Sequence, residues 1–349
     1  DNLSAPEIAL PGDNFNTVLY SGNSTADRAV TGVGFEPDFV WGKARTGGAE
    51  DHTWCDIIRG TGNHIRSNST AAQIDSLGLT SFESDGFTLP NHNQVNGSGY
   101  TYVAWNWKAG GAAASNSDGT ITGGSSVSAN TTAGFSIVGY TGDDSSSATV
   151  GHGLGQAPEM IILKKRSGIA QWPVGSAVAN SGIDWTDYLA LDKANNSGDY
   201  PYFNDTAPTS SVFSIGTDND VNEDGETYIA YCFHSVEGYS KVGAFNGNNS
   251  ATENTFVYCG FKPAMVITKA IDDSGQDWTI RDNKRDTYNV VDTVLEPNDT
   301  GGDDSQSNFN IDFLSNGFRP YNNNTQGAGN ADQLFIAFAE SPFKYSNAR

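Results

Sequence analysis

GFEPDFVWGK, residues 34–43, returns far downstream as GFKPAMVITK, residues 260–269, with Gly, Phe, Pro, Val and Lys in the same five places. A shorter third copy, APEMIILK, occupies residues 157–164. In every copy the proline is followed by Val or Ile three residues later and by Lys six residues later. Matched phrases at a wide, regular spacing indicate an internal repeat, so we predict that the chain contains three copies of one unit.

Three further landmarks recur around this phrase in the same order. Upstream stand YSG at 20–22, YTG at 140–142 and FNG at 245–247; downstream come Trp54, Trp172 and Trp278, then the apolar strands TYVAWNW from Thr101, TYIAYCF from Thr227 and LFIAFAE from Leu334. Apolar residues occupy both faces of these closing strands under period-two alternation, which predicts central strands covered on both sides. A tryptophan that recurs at one position of the repeat is typical of a core residue, and stacking on a sugar ring is the alternative.

The composition favours an all-β fold. Of 349 residues 40 are Gly and 11% are aromatic, with many Ser, Asn and Thr, as expected for short strands joined by tight turns. The Asn-Gly and Asp-Gly pairs in SNGF and SDGF predict hairpins. Because each copy has the size of an ordinary domain, we predict three tandem β-sandwich domains.

The predicted boundaries follow the landmarks. We expect an N-terminal extension at 1–13, repeat 1 at 14–110, a Gly/Ala/Ser-rich linker at 111–133, repeat 2 at 134–239 and repeat 3 at 240–349. The linker should make the first joint more flexible than the second. The chain begins without Met, from which we expect a further segment before it.

Charge and cysteine content limit the partners. The formal net charge is −22, which disfavours nucleic acid and anionic membranes as partners. No run of eighteen apolar residues is present, so membrane insertion is not expected. Cys55, Cys232 and Cys259 are an odd number, and the last two lie in apolar strand-like stretches; we therefore expect buried thiols without structural disulfides.

One loop has the spacing of a cation site. In DNDVNEDGE, residues 218–226, oxygen-bearing side chains alternate as in calcium-binding loops. The candidate metal ligands are Asp218, Asp220, Asn222 and Asp224. Counting from Asp220, position twelve is Tyr231, where an EF-hand requires Glu, so a hairpin decorated with acids is the alternative. Ca²⁺ is the one cofactor that the sequence suggests.

Other candidates concern binding rather than catalysis. Tyr200 and Tyr202 lie in GDYPYFND, a polar loop unique to repeat 2, and are the candidate ligand-binding residues. A D-x-x-R spacing at 56–59 and 282–285 suggests either a clamp for sugar hydroxyls or a local ion pair that fixes a turn. The sequence contains no HExxH, GxSxG or P-loop pattern, so we predict no catalytic residues and no enzyme activity.

Longer phrases resemble a known family. TGVGFEPDFVW, SFESDGFTL, YVAWNWKAGGAA, VGHGLGQAPEMIILK, IAYCFHSVEGYSK and AFAESPFKYSNAR are similar to segments of a triplicated β-repeat family of tailed-bacteriophage virion proteins, predicted as tail-fibre or structural proteins and often from marine phages. The resemblance extends from about Phe15 to Arg349. It implies a component of the virion surface with jelly-roll or concanavalin-like sandwiches, and it assigns no catalytic residue.

Three interpretations of function follow. We favour a tail-fibre-like adhesin that binds a host surface polysaccharide or receptor and gains avidity as a homo-oligomer, with a trimer favoured. The alternative is a head decoration or head-fibre protein that coats or stabilises the capsid. A glycan-cleaving tailspike is the third, disfavoured because tailspikes commonly resemble β-helices with short repeats. The expected partners are other virion proteins, further copies of the chain and the host receptor.

Overall fold

The computed structural model describes residues 5–179, 182–247, 255–305, 310–321 and 331–346. The strands of this part of the chain form antiparallel sheets, which turns and loops connect. Its helical elements are two four-residue helices and short 3-10 turns. The prediction of an all-β fold is confirmed. No helix in this part of the chain has the length and apolarity needed to cross a membrane.

Repeat 1 contains nine strands and one helix. In chain order they are β1 (Phe15–Ser21), β2 (Arg28–Thr31), β3 (Phe39–Ala44), β4 (Thr53–Asp56), β5 (Asn63–His64), β6 (Ile74–Asp75), β7 (Ser81–Glu83), β8 (Gly86–Leu89), α1 (Asn93–Asn96) and β9 (Thr101–Trp107). A four-stranded sheet has the order β1-β9-β3-β4, and a smaller sheet has the order β2-β8-β7. Strands β5 and β6 form a separate pair.

Repeat 2 has one large sheet. Its elements, with those that precede them, are β10 (Ala114–Asn116), β11 (Ser125–Asn130), β12 (Phe135–Thr141), β13 (Thr149–Gly151), β14 (Met160–Lys165), β15 (Pro173–Ser176), β16 (Asp187–Ala190), β17 (Gly198–Asp199), β18 (Val212–Ser214), α2 (Asn219–Asn222) and β19 (Thr227–Phe233). The large sheet has the order β10-β11-β12-β19-β14-β15-β16-β17, and β13 pairs with β18.

Repeat 3 resembles repeat 1, with a four-stranded sheet, a three-stranded sheet and a separate pair of strands. Its strands are β20 (Ser240–Asn246), β21 (Val257–Tyr258), β22 (Phe261–Ala270), β23 (Thr279–Asp282), β24 (Thr293–Val294), β25 (Asp304–Ser305), β26 (Ile311–Leu314), β27 (Gly317–Pro320) and β28 (Asp332–Pro342). The sheets have the orders β20-β28-β22-β23 and β21-β27-β26, and β24 pairs with β25.

The repeated phrase forms the same strand in each repeat. It becomes β3, β14 and β22, each of which lies beside the closing strand β9, β19 or β28. On its other side lies β4, β15 or β23, which we call the tryptophan strand because it contains Trp54 or directly follows Trp172 or Trp278. The closing strand is paired on both sides in all three sheets, as predicted from its two apolar faces. The order first–closing–phrase–tryptophan strand is thus common to the three repeats.

The strand register corrects the sequence alignment of repeat 3. Lys43, Lys164 and Lys269 lie opposite Val103, Ile229 and Leu334, respectively. Leu334 is therefore equivalent to Ile229, whereas the sequence comparison aligned LFIAFAE with TYIAYCF and placed Leu334 at the position of Thr227. A shift by two residues keeps every side chain on the same face of the strand, which is why the hydrophobic pattern did not reveal it.

The segment predicted as a flexible linker, residues 111–133, contains strands of the sheet of repeat 2. Residues 111–133 contain β10 and β11, and β11 pairs with β12 along its whole length. Val127 of β11 is 6% exposed and belongs to a hydrophobic cluster of repeat 2. Pairing of β11 with β12 therefore also buries an apolar side chain. Gly110 N also donates to Ser128 Oγ at 2.9 Å. The segment is part of the sheet of repeat 2.

The three sheets share one central core. Its members come from every repeat and from the N-terminal segment, where Ile8 is buried. The aromatic members are Phe15, Phe39, Trp41, Trp54, Trp105, Trp107, Phe135, Trp172, Tyr231, Phe233, Tyr239, Trp278 and Phe338. The prediction that Trp54, Trp172 and Trp278 are core residues is confirmed, since none is more than 2% exposed. The sequence predicted three domains with separate cores, whereas in the structure the three repeats contribute to one core.

Each repeat also has an outer core between its larger and smaller sheets. In these clusters a valine of the small sheet, a phenylalanine of the small sheet and a residue of the closing strand recur at equivalent places. The sets are Val30, Phe87 and Ala104; Val150, Phe213 and Ala230; and Val257, Phe318 and Phe335. Cys55, Cys232 and Cys259 lie in these outer cores as free, buried thiols.

Indole hydrogen bonds connect the repeats in a closed cycle. Trp172 Nε1 of repeat 2 donates to Ser69 O of repeat 1 at 2.9 Å. Trp278 Nε1 of repeat 3 donates to Ala190 O of repeat 2 at 2.8 Å. Trp105 Nε1 of repeat 1 donates to Asp282 Oδ2 of repeat 3 at 3.1 Å. Each pair of repeats is therefore linked by an indole donor. The donor of repeat 1 is Trp105 of the closing strand and not Trp54, the equivalent of Trp172 and Trp278.

Candidate functional site

The structure brings together two sites that the sequence predicted separately. Tyr200 Oη donates to Asp218 Oδ2 at 2.6 Å, and Tyr202 Oη donates to Asp220 Oδ2 at 3.1 Å. The candidate ligand-binding tyrosines therefore contact the first two candidate metal ligands. We call Tyr188, Tyr200, Tyr202, Asp218 and Asp220 the tyrosine–aspartate cluster.

Two loops position the cluster. The hairpin of β16 and β17 places Tyr188 opposite Gly198, and the chain then enters a 3-10 turn at Pro201–Phe203. The second loop crosses close to the first, and Gly216 N donates to Tyr202 O at 3.0 Å. A Cβ on Gly216 would lie 2.1 Å from Pro201 O, so only glycine permits this approach.

The acidic loop caps a helix rather than wrapping a cation. Asp218 precedes α2, and its Oδ1 accepts from Asp220 N at 2.7 Å in the geometry of an N-cap. Asn222 Oδ1 accepts from Asp143 N at 3.0 Å, and its Nδ2 donates to Ser145 O at 3.1 Å. Asp224 lies in the exposed turn that follows.

The geometry does not favour the predicted calcium site. Within the described residues no group of three or more His, Cys, Asp or Glu side chains is placed to hold a metal ion. Asn96 of repeat 1 is the equivalent of Asn222, and it uses its amide in the same way: Oδ1 accepts from Asn23 N and Nδ2 donates to Thr25 O. The D-x-N-x-D-G spacing of repeat 2 therefore contains a structural asparagine at its centre.

The Tyr188 ring packs edge to face against Tyr200 and Tyr202, whereas the rings of Tyr200 and Tyr202 are tilted by 50° to each other. The ring centroids of Tyr200 and Tyr202 are 4.6 Å apart, and those of Tyr188 and Tyr202 are 4.9 Å apart. Tyr202 is 4% exposed, whereas Tyr200 is 40% exposed. The cluster thus has a rigid, buried base and one ring available to a ligand.

The electrostatics keep the phenols protonated. The hydrogen bond to Asp218 and the charge of this carboxylate raise the pKa of Tyr200. Burial, followed by the charge of Asp220, raises the pKa of Tyr202. The cluster therefore presents an aromatic surface beside two carboxylates that act as acceptors, a combination suited to the ring face and hydroxyls of a neutral sugar.

The D-x-x-R pairs have a different role from a sugar clamp. Arg59 Nε donates to Asp56 Oδ2 and Arg285 Nε donates to Asp282 Oδ2, each at 2.6 Å, and all four side chains are 0% exposed. Burial excludes a sugar clamp at these pairs, and the alternative of local ion pairs is confirmed. Tyr231 Oη of repeat 2 also donates to Asp56 Oδ2 at 2.7 Å, as Trp105 of repeat 1 donates to Asp282.

The contact between repeats 2 and 3 lacks both halves of this arrangement, since repeat 2 lacks the acid and repeat 3 lacks the polar aromatic donor. Ser176 lies opposite Met160, as Asp56 lies opposite Phe39, so serine takes the place of the acid. By the corrected register, Ile336 takes the place of the donors Tyr231 and Trp105. The acid and the polar aromatic residue are therefore present together or absent together, which the D-x-x-R motif alone did not reveal.

The lysine of the repeated phrase is buried in every repeat. Lys43 Nζ donates to Thr300 O of repeat 3 at 2.9 Å, and Lys164 Nζ donates to Thr70 O of repeat 1 at 2.9 Å. Lys269 Nζ donates to Gln276 O within its own repeat. Burial lowers the pKa of each ammonium group to about 8. The recurrence of this lysine was visible in the sequence, but the contacts of Lys43 and Lys164 with loops of other repeats were not.

A second recess lies along strand β20. It has a volume of about 560 Å³ and lies between residues 177–179 of repeat 2 and β20 of repeat 3. Its rim includes Phe256, which is 43% exposed, and Tyr258, which is 62% exposed. We call this recess the β20 groove. No local sequence pattern indicated this recess, because its walls come from segments about sixty residues apart.

Comparison with known proteins identifies a family but no characterised relative. A family model described as Domain of unknown function (DUF7483) matches residues 10–342. A search of curated proteins found no match. A search of solved structures also found no match.

Proposed function

We propose that this chain, which belongs to the DUF7483 family, is a non-enzymatic, surface-exposed adhesin whose tyrosine–aspartate cluster binds a neutral glycan. The observation that carries the proposal is the exposed ring of Tyr200 beside Asp218 and Asp220, held by a buried tyrosine base. Ring faces stack on the apolar faces of sugars, and carboxylates accept hydrogen bonds from sugar hydroxyls.

The charge of the chain supports a neutral ligand. With a net charge of −22, the surface repels anionic polymers, and the two carboxylates of the cluster add to this repulsion locally. The hydroxyls of a neutral sugar donate hydrogen bonds to the same carboxylates without electrostatic repulsion. The cluster occurs in repeat 2, where its loop is longest, so each chain carries one such site among its described residues.

We place the adhesin on the surface of a phage virion, as a tail-fibre-like protein. The sequence resemblance to tailed-phage virion proteins supports this location. The buried hydrogen bonds that link all three repeats support a rigid, load-tolerant body, which suits a protein exposed at a particle surface. The same rigidity also suits a head decoration protein, which is the second candidate. Homotrimer formation, host receptor binding and contact with other virion proteins remain parts of this proposal.

A glycan array tests the binding site. The purified chain is applied to neutral and acidic oligosaccharides, and the strongest ligand is then titrated against Tyr200→Ala and Asp218→Asn. Loss of one stacking ring or one charged acceptor removes about 1–2 kcal/mol, so binding should weaken about 5- to 30-fold. Tyr288→Ala is the matched control, because Tyr288 is 76% exposed in repeat 3 and should not affect binding.

Two results would overturn the proposal. Absence of binding to every glycan would reject a glycan adhesin, and equal binding by Tyr200→Ala and the unaltered chain would reject this site. Immunogold microscopy of phage particles then separates the two virion locations. Gold on the tail supports the adhesin, whereas gold over the head favours decoration.

A further inference from the structure

We propose that the β20 groove binds an extended polypeptide strand of a partner protein, which adds to the free edge of β20. The strand has an alternating pattern, with small residues, one apolar residue and an acidic residue two positions after the apolar one. This binding mode uses main-chain hydrogen bonds for affinity and alternate side chains for specificity.

The edge of β20 has unused hydrogen-bonding groups at its centre. Ser240 N and O are bonded to Val236, so the even-numbered residues of β20 point their backbone groups away from β28. Val242 N is bonded to Ser235 Oγ, and Asn246 O accepts from Thr255 Oγ1. Within the described residues Ala244 N and O have no partner on this side. An edge of this kind is a template for another strand.

The same edge is covered in repeat 2. Ala244 lies opposite Leu334, and Gly139 lies opposite Ile229. Because Leu334 and Ile229 are equivalent, Ala244 and Gly139 are equivalent as well. Gly139 is paired with Ser126 of β11, and the pairing continues along β12. The chain therefore already contains one example of the complex that we propose for β20.

Among the described residues of repeat 3, no segment pairs with this edge as β11 pairs with β12. Repeat 2 receives β11 from the long stretch between β9 and β12. Strand β20, by contrast, follows β19 after a tight turn that pairs Val236 with Ser240. The position that β11 fills in repeat 2 is thus open in the described part of repeat 3, and the proposed partner strand takes this position.

The groove predicts the chemistry of that strand. Val127 of β11 lies opposite Val138, and Gly243 is the equivalent of Val138, so an apolar residue fits there beside Phe335 and the rim residue Phe256. Ala129 lies opposite Ser136, whose equivalent is Lys241. A carboxylate at that place would meet the partly exposed ammonium group of Lys241.

A peptide copied from β11 tests the proposal. The probe is fluorescein-labelled GGSSVSDNTTA, the sequence of residues 123–133 with Ala129→Asp, and binding to the full chain is followed by fluorescence anisotropy. We expect saturable binding, and we expect Ala244→Pro to weaken it at least tenfold, because proline removes the free N–H. The variant should fold, since this N–H faces away from β28 and edge strands tolerate proline at such places.

The chain offers a matched control. Leu19 occupies the position of Ala244 on the first strand of repeat 1, because Leu19 lies opposite Val103 as Ala244 lies opposite Leu334. Leu19→Pro should leave binding unchanged. Equal weakening by both proline variants would overturn the proposal, because it would show a general effect on the fold.

A charge reversal gives a test that does not depend on proline. Lys241→Glu should weaken binding of the Asp-containing peptide, and a peptide with Ala129→Lys should bind this variant better than it binds the unaltered chain. Absence of peptide binding, or the same peptide preference before and after the reversal, would overturn the proposal. A dimer of the chain that Ala244→Pro dissociates would overturn the choice of occupant, because a second copy would then cover the edge.

Discussion

Buried charges at equivalent positions fix the contacts between repeats. Asp56 accepts hydrogen bonds from Arg59 of its own repeat and from Tyr231 of repeat 2. Removal of the carboxylate would leave the guanidinium buried without a counter-charge, which is more costly than the absence of the whole arrangement. The contact between repeats 2 and 3 shows the latter state, with Ser176 at the position of the acid and Ile336 at the position of the donor.

Asp56→Ala should lower the free energy of unfolding by about 3–5 kcal/mol, because it uncouples a buried ion pair. Urea unfolding followed by tryptophan fluorescence measures the change. Asp51→Ala is the control: its partner Arg66 is partly exposed, so the loss should stay below about 1 kcal/mol.

A triple variant separates the charge from the packing. Asp56→Ser, Arg59→Ala and Tyr231→Ile together copy the contact between repeats 2 and 3, where Ser176, Ala179 and Ile336 occupy these positions. This chain should be more stable than Asp56→Ala alone. If the triple variant is the less stable of the two, the uncompensated charge is not the reason for the loss.

The buried lysines predict a pH dependence. The folded pKa of Lys164 is about 8, below the ordinary value of 10.5, so between these values the unfolded state binds more protons and stability rises with pH. Burial raises the pKa of the cysteine thiols, which opposes this trend above about pH 9. The comparison is therefore made between variants: the stability advantage of the unaltered chain over Lys164→Met should grow from pH 8 to pH 10.

Urea midpoints at several pH values measure this advantage. Lys108→Met serves as the control for loss of one positive charge, because Lys108 is exposed. An advantage that is constant or falls over this range would show that Lys164 does not titrate as burial requires.

At the level of elements, the tyrosine–aspartate cluster depends on a close crossing of two loops. Gly216→Ala should separate the loops, because the added Cβ would meet Pro201 O at 2.1 Å. We expect a loss of about 1–3 kcal/mol in stability and a loss of glycan binding, although Gly216 is not a member of the cluster. Calorimetry and the glycan titration measure the two effects. Gly12→Ala, with nothing within 4 Å of the new Cβ, should change neither.

Strand periodicity was sufficient to predict the elements, because apolar alternation and the recurrent phrase identify β3, β14 and β22 without any long-range knowledge. It was not sufficient for register in repeat 3, since a shift by two residues preserves the faces of β28. It also failed for β11: small polar residues such as Ser125 and Ser126 resemble a linker, and only the edge of β12 makes them a strand.

The candidate site was predicted in parts. Tyr200 and Asp218 were each identified from local composition, but their hydrogen bond depends on a loop crossing that no local pattern encodes. The same limit explains the calcium prediction, because the oxygen spacing at 218–226 does not reveal that Asp218 caps a helix and that Asn222 is bonded to backbone groups.

At the level of the whole molecule, the shared core makes the three repeats one folding unit. Calorimetry should therefore show a single transition whose calorimetric and van't Hoff enthalpies agree. Asp56→Ala in repeat 1 and Trp278→Phe in repeat 3 should each shift that one transition to lower temperature. Separate transitions, each shifted by only one of the two substitutions, would instead indicate autonomous domains.

The covalent connection of the three units has a consequence for what each can become. In an assembly of three identical chains, a substitution at one position is imposed on all three positions. Here the equivalents of one position differ: Gly139 lies under an added strand, Ala244 has a free edge, and Leu19 is 40% exposed. A single gene that encodes all three units can thus keep one shared core while each unit acquires a separate task.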